Sequence, residues 1–330
     1  MGFMSWTLPT LAELESAANL IYCYMPPTPQ YRWPLLDLAA GTEVWLKHEN
    51  HTPVGAFKIR GGIVYMDHLQ RTRPEITGVV GATRGNHGQS MGFAASLTNT
   101  TAVVIVPHGN SPEKNAAMRA LGVTLIEAGA DFQEACEYAD ALANDRGMHR
   151  LPSLDPLLVR GVGTYALELF RGAPPLDTVY VPVGMGSGIC GMMAARDALG
   201  LNTKIVGVVS TGAPAYQLSF AAGRRIEHAV TTVLADGMAC RCPNEDCLAA
   251  MLQGVDRVVA VDEQEVSSAM RTLFQTTHNV AEGAGAASFA ALMQERDQMR
   301  GKRVGVVLCG GNVDADVFAR VLAETPAQSA

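Results

Sequence analysis

The chain alternates short, nearly unbroken apolar runs with stretches in which apolar residues recur every three or four positions. Gly78-Val79-Val80-Gly81-Ala82 is a run of the first kind, and Ala102-Val103-Val104-Ile105-Val106 is another, closed by Pro107. Such runs predict strands covered on both faces. A helix is predicted to start near Asn86. Ser111-Pro112-Glu113 supplies an N-cap, a proline at the first helical position and an acidic first turn. The helix it opens carries Ala116, Ala117, Ala120 and Leu121 and stops at Gly122. Residues 123–126 form the next strand. Asp131-Phe132-Gln133-Glu134 resembles a capping box with Asp as cap, opening a helix with Phe132, Ala135, Ala139 and Leu142 on one face. The rhythm resumes with a strand over 178–183, a helix over 189–199, a strand over 204–209 and a late strand over 303–308. It predicts an α/β protein of two doubly wound lobes with parallel sheets and a cleft between them. In such sheets ligands bind beyond the carboxyl ends of the strands.

Composition narrows the function. The 330 residues are 48% hydrophobic and 17% charged, which suits an ordered chain with a large core. A net charge of -7 with no dense Lys/Arg tract excludes nucleic-acid binding through a basic face. No apolar run approaches the ~20 residues of a membrane helix. Residues 1–10 lack the pattern of a secretory signal. Gly2 follows Met1, but Trp6 stands where a myristoylation pattern needs Ser or Thr. The seven cysteines, an odd number set mostly in apolar elements, predict reduced thiols and a cytoplasmic location. Cys240, Cys242 and Cys247 form C-x-C-x4-C, but no fourth ligand sits at a familiar spacing, so no metal is expected there.

Four segments carry candidate chemistry. In the first, Lys58 lies between Phe57 and Ile59 within Pro53 to Gly62. Apolar surroundings disfavour an ammonium and make the amine a better nucleophile, as a Schiff-base lysine requires. A single lysine after Phe is more often a solvated charge, so context must decide. The second, Thr83-Arg84-Gly85-Asn86-His87-Gly88, follows a strand and opens a helix. Its backbone N–H groups and helix dipole favour an anion such as a substrate carboxylate. The third, Val183-Gly184-Met185-Gly186-Ser187-Gly188-Ile189-Cys190-Gly191, can close backbone amides around a phosphate. It also matches G-x-G-x-x-G, but the stretch 204–210 offers no carboxylate for a ribose, so a mononucleotide-sized phosphate fits better than NAD. The fourth, Leu308-Cys309-Gly310-Gly311-Asn312, puts Cys309 at the carboxyl end of a strand, where a small core residue is the plain alternative.

In this order and spacing the four segments resemble the serine/threonine dehydratase family, the β-family of pyridoxal-phosphate enzymes that includes serine racemase. The likeness runs from about Tyr22 to Asp314 and takes in Pro107 to Ser111, Ala235-Asp236-Gly237 and Glu282-Gly283-Ala284-Gly285. It implies a fold-type II, tryptophan-synthase-β-like architecture, with residues 1–69 and 155–330 as the larger cofactor-binding domain and 70–154 as a smaller mobile one. It implies that pyridoxal 5'-phosphate is held by Lys58 through a Schiff base. Phe57 would lie beside the ring, Asn86 on the ring oxygen, and Gly184, Met185, Gly186, Ser187 and Gly188 around the phosphate. Cys309 would face the pyridine nitrogen, and Glu282 would lie near the ring. Thr83, Arg84, Gly85 and His87 would hold the substrate. The implied reaction removes water and ammonia from a β-hydroxy amino acid such as threonine or serine. A thiol at Cys309 cannot keep the ring protonated as a carboxylate would, which favours prompt loss of a β-leaving group. A homodimer is implied as well.

Several positions depart from the family pattern. Met185 and Ser187 interrupt an all-glycine phosphate loop, which a backbone cradle tolerates where φ is negative. Ala56 replaces a serine. Arg84 replaces the second-face base of serine racemase, and an arginine stays protonated, which disfavours racemisation. Arg84 could instead meet a second substrate carboxylate, as in 3-hydroxyaspartate, or point to solvent. Phenylserine also stays open as substrate. Val209 and Ala215 occupy the carboxylate positions of the family's divalent-metal loop and cannot bind a hard cation. The chain ends soon after the last motif, so the regulatory domain of biosynthetic relatives is expected to be absent and the role catabolic. Two rivals remain: a β-replacement enzyme on the same fold, and a ligand-binding protein that has kept the fold without turnover.

Overall fold

The computed structural model describes residues 6–324. The reading at Gly2 and the outer ends of the expected larger domain lie outside the described residues. Ten strands occur in chain order: β1 (Gln30–Arg32), β2 (Glu43–His48), β3 (Gly78–Ala82), β4 (Thr101–Val106), β5 (Thr124–Glu127), β6 (His149–Arg150), β7 (Thr178–Pro182), β8 (Lys204–Ser210), β9 (Arg257–Val261) and β10 (Arg303–Leu308). They form a six-stranded sheet in the order β1-β2-β10-β7-β8-β9 and a four-stranded sheet in the order β5-β4-β3-β6. All pairings are parallel except β1 with β2. The two lobes thus carry the expected parallel sheets, with one antiparallel strand added at an edge. β1 is a short, largely exposed edge strand, and an antiparallel edge needs no cover on its outer face.

Helices flank both faces of the small sheet. Met91, Ala94 and Met118 pack on one side, and Ala135, Ala139 and Leu142 on the other. The larger sheet lies in one core that includes Met192 and Phe289. Residues 78–150 hold the whole four-stranded sheet, and the six-stranded sheet draws on residues 30–48 and 178–308. The last strand, β10, is inserted between β2 and β7 and so joins chain segments more than 120 residues apart.

Helix starts follow local chemistry. Ser111 Oγ accepts from Lys114 N at 3.0 Å, with Pro112 at the first helical position. The face buried by that helix, however, is Lys114, Asn115 and Met118 rather than the alanines. It packs against the mouth between the sheets, where a polar face finds partners. Asp131 caps Glu134 N as expected, but the Glu134 carboxylate turns back to Ala130 N at 2.7 Å, one residue before the cap.

The helix Lys58–Thr72 is wedged between helices Asn86–Leu97 and Pro156–Gly172. At Gly62 a side chain would collide with Ser90, so glycine is what lets the first two helices meet. Ser90 Oγ in turn donates to Lys58 O at 2.7 Å. Behind this helix lies a sealed charge cluster. Arg60 donates to Glu49 at 2.7 and 2.9 Å, to Glu168 at 2.6 and 2.9 Å and to the hydroxyls of Thr164 and Thr28. Lys47 Nζ donates to Glu168 at 2.5 Å and to Thr28 O at 2.8 Å, and the Thr28 hydroxyl donates to Glu49. Two cations face two anions, so burial leaves no charge uncompensated. Glu49→Ala would leave two buried cations, Arg60 and Lys47, on the single carboxylate of Glu168. We expect a loss of about 3–5 kcal/mol in unfolding free energy, read from urea denaturation. A loss no larger than that of an exposed ion pair would show that the cluster is not a structural support.

Candidate active site

Four turns at the carboxyl ends of strands converge. After β2 the chain runs through Gly55 to Lys58. The bridge Ala56–Gly310 and the bonds from Phe57 N to Cys309 O (3.0 Å) and Gly311 N to Gly55 O (2.9 Å) stitch it to the turn after β10. After β3 come Thr83 to His87, and after β7 come Gly184 to Gly188. One pocket brings together Lys58, Thr83, Arg84, Gly85, Asn86, His87, Gly184 and Met185. It opens into a cavity of about 1010 Å³ that shares Arg84, Lys114 and Asp236 and also reaches Glu282.

Phe57 and Cys309 sit behind the pocket rather than on its wall. The Phe57 ring meets Tyr165 edge-on at 6.0 Å, and Lys58 Nζ lies 4.7 Å from the Phe57 ring centre. Burial lowers the Lys58 pKa, opposed by the nearby Cys309 and Glu282. Burial pushes the Cys309 thiol up, so that side chain stays neutral. His87 is pushed down to about 3, first by burial and then by Lys58 and Arg150. The main chain of Pro152 acts in the opposite sense. Among the described residues Nε2 is buried with no partner.

Glu282 is pushed up to about 7, chiefly by burial and also by Asp236, against Lys114, Asn86 and Lys58. Its Oε1 accepts from Asn86 Nδ2 at 2.7 Å, while Oε2 is buried with no partner. Arg84 is half-buried and, among the described residues, has neither a hydrogen-bond nor an ion-pair partner.

In the glycine loop only Gly186 has a positive φ, +108°, so Met185 and Ser187 are free of backbone strain. A side chain at Gly186 would strike Cys247 Sγ, and a Cβ at Gly184 would lie 2.5 Å from Gly237 O. The helix Ser187–Ala198 begins there with no side-chain cap. Its first-turn N–H groups remain open to an anion. Cys247 thus supports the loop by packing. Among the described residues no three His, Cys, Asp or Glu are grouped to hold a metal ion.

Sequence reasoning missed the Lys114–Asp236 ion pair (2.6 Å) on the pocket wall and the role of Asn312. A lysine three residues after a serine cap gave no sign of burial, and its partner lies 122 positions on.

The family model described as "Pyridoxal-phosphate dependent enzyme" matches residues 24–310. The chain belongs to this family. The pocket residues fit its cofactor on structural grounds: an unpaired amine at Lys58 on the pocket wall, a cradle at Gly184 and Gly186 that side chains would fill, and, among the described residues, an unpaired buried oxygen on Glu282. This pyridoxal-phosphate enzyme is 33% identical over 318 residues to an L-threonine ammonia-lyase of Thermotoga maritima, across 95% of this chain and 78% of that one. It is 29% identical over 316 residues to an L-threo-3-hydroxyaspartate ammonia-lyase of Saccharomyces cerevisiae, across 96% and 97%. Among solved structures, a threonine deaminase of "T.th." matches with a TM-score of 0.86 at 30% identity, covering 93% of this chain and 99% of that one. A pyridoxal 5'-phosphate-dependent aspartate racemase matches at 0.89 with 27% identity, covering 96% and 99%.

Gly186→Ala should raise the dissociation constant for pyridoxal phosphate by roughly tenfold or more, from backbone strain and the collision with Cys247. Titration of apoprotein with the cofactor, followed by absorbance, checks this. An unchanged constant would remove the loop as the phosphate site.

Proposed function

We propose that the protein is an ammonia-lyase that removes water and ammonia from a small β-hydroxy amino acid and releases a 2-oxo acid. The observation that carries this reading is the half-buried Lys58, whose amine has a lowered pKa at the wall of a pocket backed by a neutral thiol. The ammonia-lyases and threonine deaminase among the relatives support the same reading.

Bound pyridoxal phosphate supplies an electron-withdrawing ring that weakens the α-C–H bond of an attached amino acid. Lys58 Nζ would hold the cofactor and, when free of it, would serve as the base for the α-proton. Backbone N–H groups from Gly184 to Gly188 hold the phosphate, and Met185 and Ser187 serve there through main chain. Asn86 donates to the ring oxygen from Nδ2. Cys309, kept a neutral thiol by burial, would stand at the pyridine nitrogen without protonating it, which would favour early departure of the β-hydroxyl. Gly85 N donates to Thr83 Oγ1 at 3.0 Å, which fixes that hydroxyl with its own proton free to hold the substrate carboxylate. His87, held neutral by burial, would wall the substrate site.

The unpaired Arg84 favours a more specific reading, a substrate with a second carboxylate such as 3-hydroxyaspartate. A guanidinium fork can grip a carboxylate through two bonds. The yeast relative bears a name of that kind. We further assign residues 70–154 to a smaller mobile unit and the rest to the cofactor-binding one, as the division of the two sheets supports. Free thiols at all seven cysteines support a reducing compartment, and no described helix is long and apolar enough to cross a membrane. Exposed Tyr31, Leu35 and Leu38 beside the edge strand β1 support a homodimer.

The deciding assay measures 2-oxo acid release from threonine, serine and 3-hydroxyaspartate by the protein with its cofactor. Release should vanish in Lys58→Ala. Arg84→Met should cut kcat/KM for 3-hydroxyaspartate by about tenfold to a hundredfold, the worth of a charge-assisted pair, and leave serine nearly unchanged. No release from any of the three would refute the lyase reading. An equal effect on serine and 3-hydroxyaspartate would refute the role of Arg84.

A further inference from the structure

Asn312 stands outside the pocket wall that holds Lys58, yet its side chain reaches the residue assigned to the cofactor's ring oxygen. Its Nδ2 donates twice, to Val54 O at 2.8 Å and to Asn86 Oδ1 at 2.8 Å. Asn86 Nδ2 then donates to Glu282 Oε1 at 2.7 Å. The chain of bonds has one direction only. A main-chain carbonyl can only accept, so Asn312 must turn its nitrogen toward Val54. Its second proton then meets Asn86, which must answer with oxygen. That orientation leaves Asn86 presenting N–H groups, one to Glu282 and one free for the pocket it lines.

The anchor is built to hold this geometry. Gly55, next to Val54, has φ +68°, and a Cβ there would lie 2.6 Å from Asn312 Oδ1. The amide therefore sits where only glycine leaves it room. At the far end, Oε1 of Glu282 is occupied as an acceptor, and Oε2 has no partner. A proton taken up by Glu282 must then reside on Oε2.

We propose that Asn312 is a positioning residue. Anchored on the Val54 carbonyl, it starts a donor relay that runs from Asn312 through Asn86 to Glu282, which keeps Asn86 a donor to the cofactor and confines the proton of Glu282 to Oε2. This rests on the cofactor occupying the pocket as proposed above. Glu282 is placed to change protonation near neutrality, being pushed up to about 7 by burial and by Asp236, against Lys114, Asn86 and Lys58. The Cys309 thiol, itself affected by Glu282, faces it from the β10 turn.

The test is Asn312→Asp, which keeps the shape and removes the donor. An aspartate at this position can only accept from Asn86, so the Asn86 amide turns over and shows oxygen to Glu282. Glu282 must then be protonated to complete the bond. We expect the dissociation constant for pyridoxal phosphate to rise about tenfold, as for one lost buried hydrogen bond. The pH midpoint of the bound cofactor's visible absorption should move upward, and kcat should fall more than KM changes. Adding Glu282→Gln should leave affinity low, because Asn86 stays overturned with its oxygen toward the pocket, but should remove the shifted pH midpoint with the titrating group. A single variant with wild-type affinity and pH midpoint, or a double variant that regains wild-type affinity, would overturn the relay. Should Asn312→Asp fail to fold, Glu282→Gln alone still decides. It keeps an acceptor for Asn86 and has no titrating group, so absorption should be flat between about pH 6 and 8. A wild-type titration in that variant would overturn the proposal. Wild-type protein that takes up no cofactor would sink the functional reading and the relay with it.

Discussion

The site depends on where strand β10 pairs. It is the last strand made, yet it lies between β2 and β7, with Leu308 opposite His48 and Gly305 opposite Val179. That insertion sets the turn after β10 against the turn that carries Lys58, and places both beside the glycine loop after β7. Register matters as much as order. Neighbouring residues in a strand face opposite sides of the sheet, so a slip of one would turn Cys309 away from the place it now shares with Lys58. The bonds from Phe57 to Cys309 and from Gly311 to Gly55 hold the register at the strand's end, where fraying would otherwise begin.

The polar interior falls into two kinds. In the cluster around Arg60 every charge has an opposite partner and every donor on the guanidinium is used, so the region is suited to rigidity. Around Lys58 the groups are left incomplete. Arg84 has no anion, Glu282 one bare oxygen, and His87 one bare nitrogen among the described residues. Unsatisfied buried polar atoms are rare and costly in folded proteins. Three incomplete groups around one pocket mark the place where a ligand completes the bonding. The closed cluster lies directly behind the helix that begins at Lys58, so the incomplete site is braced by the complete one.

Much of this was legible in the chain, but unevenly. Strands such as Gly78–Ala82 and Arg303–Leu308 are apolar on both faces, and burial on both faces is what a sandwiched parallel strand experiences. The Ser111 cap was visible because it acts within three residues. What stayed hidden was decided by distant partners. The helix Pro112–Ala120 buries Lys114 because Asp236 waits across the mouth, whereas its alanines are left outward. The Glu134 carboxylate chose Ala130 over its expected target by the set of the preceding turn. Asn312 looked like the tail of a glycine motif, since its partners Val54 and Asn86 are 258 and 226 positions away. The antiparallel edge strand β1 is only three residues long, too short for periodicity to reveal.

The sealed cluster behind the Lys58 helix also restricts how such a chain can drift over generations. Replacing Arg60, Glu49, Glu168 or Lys47 singly strands a buried charge, so each intermediate would be poorly folded and soon lost. Exchange for an apolar set would require several coincident changes, even if the final packing were sound. These four positions should therefore persist together in descendants whose substrates have diverged, making them a record of shared ancestry that is independent of the chemistry performed a few ångströms away.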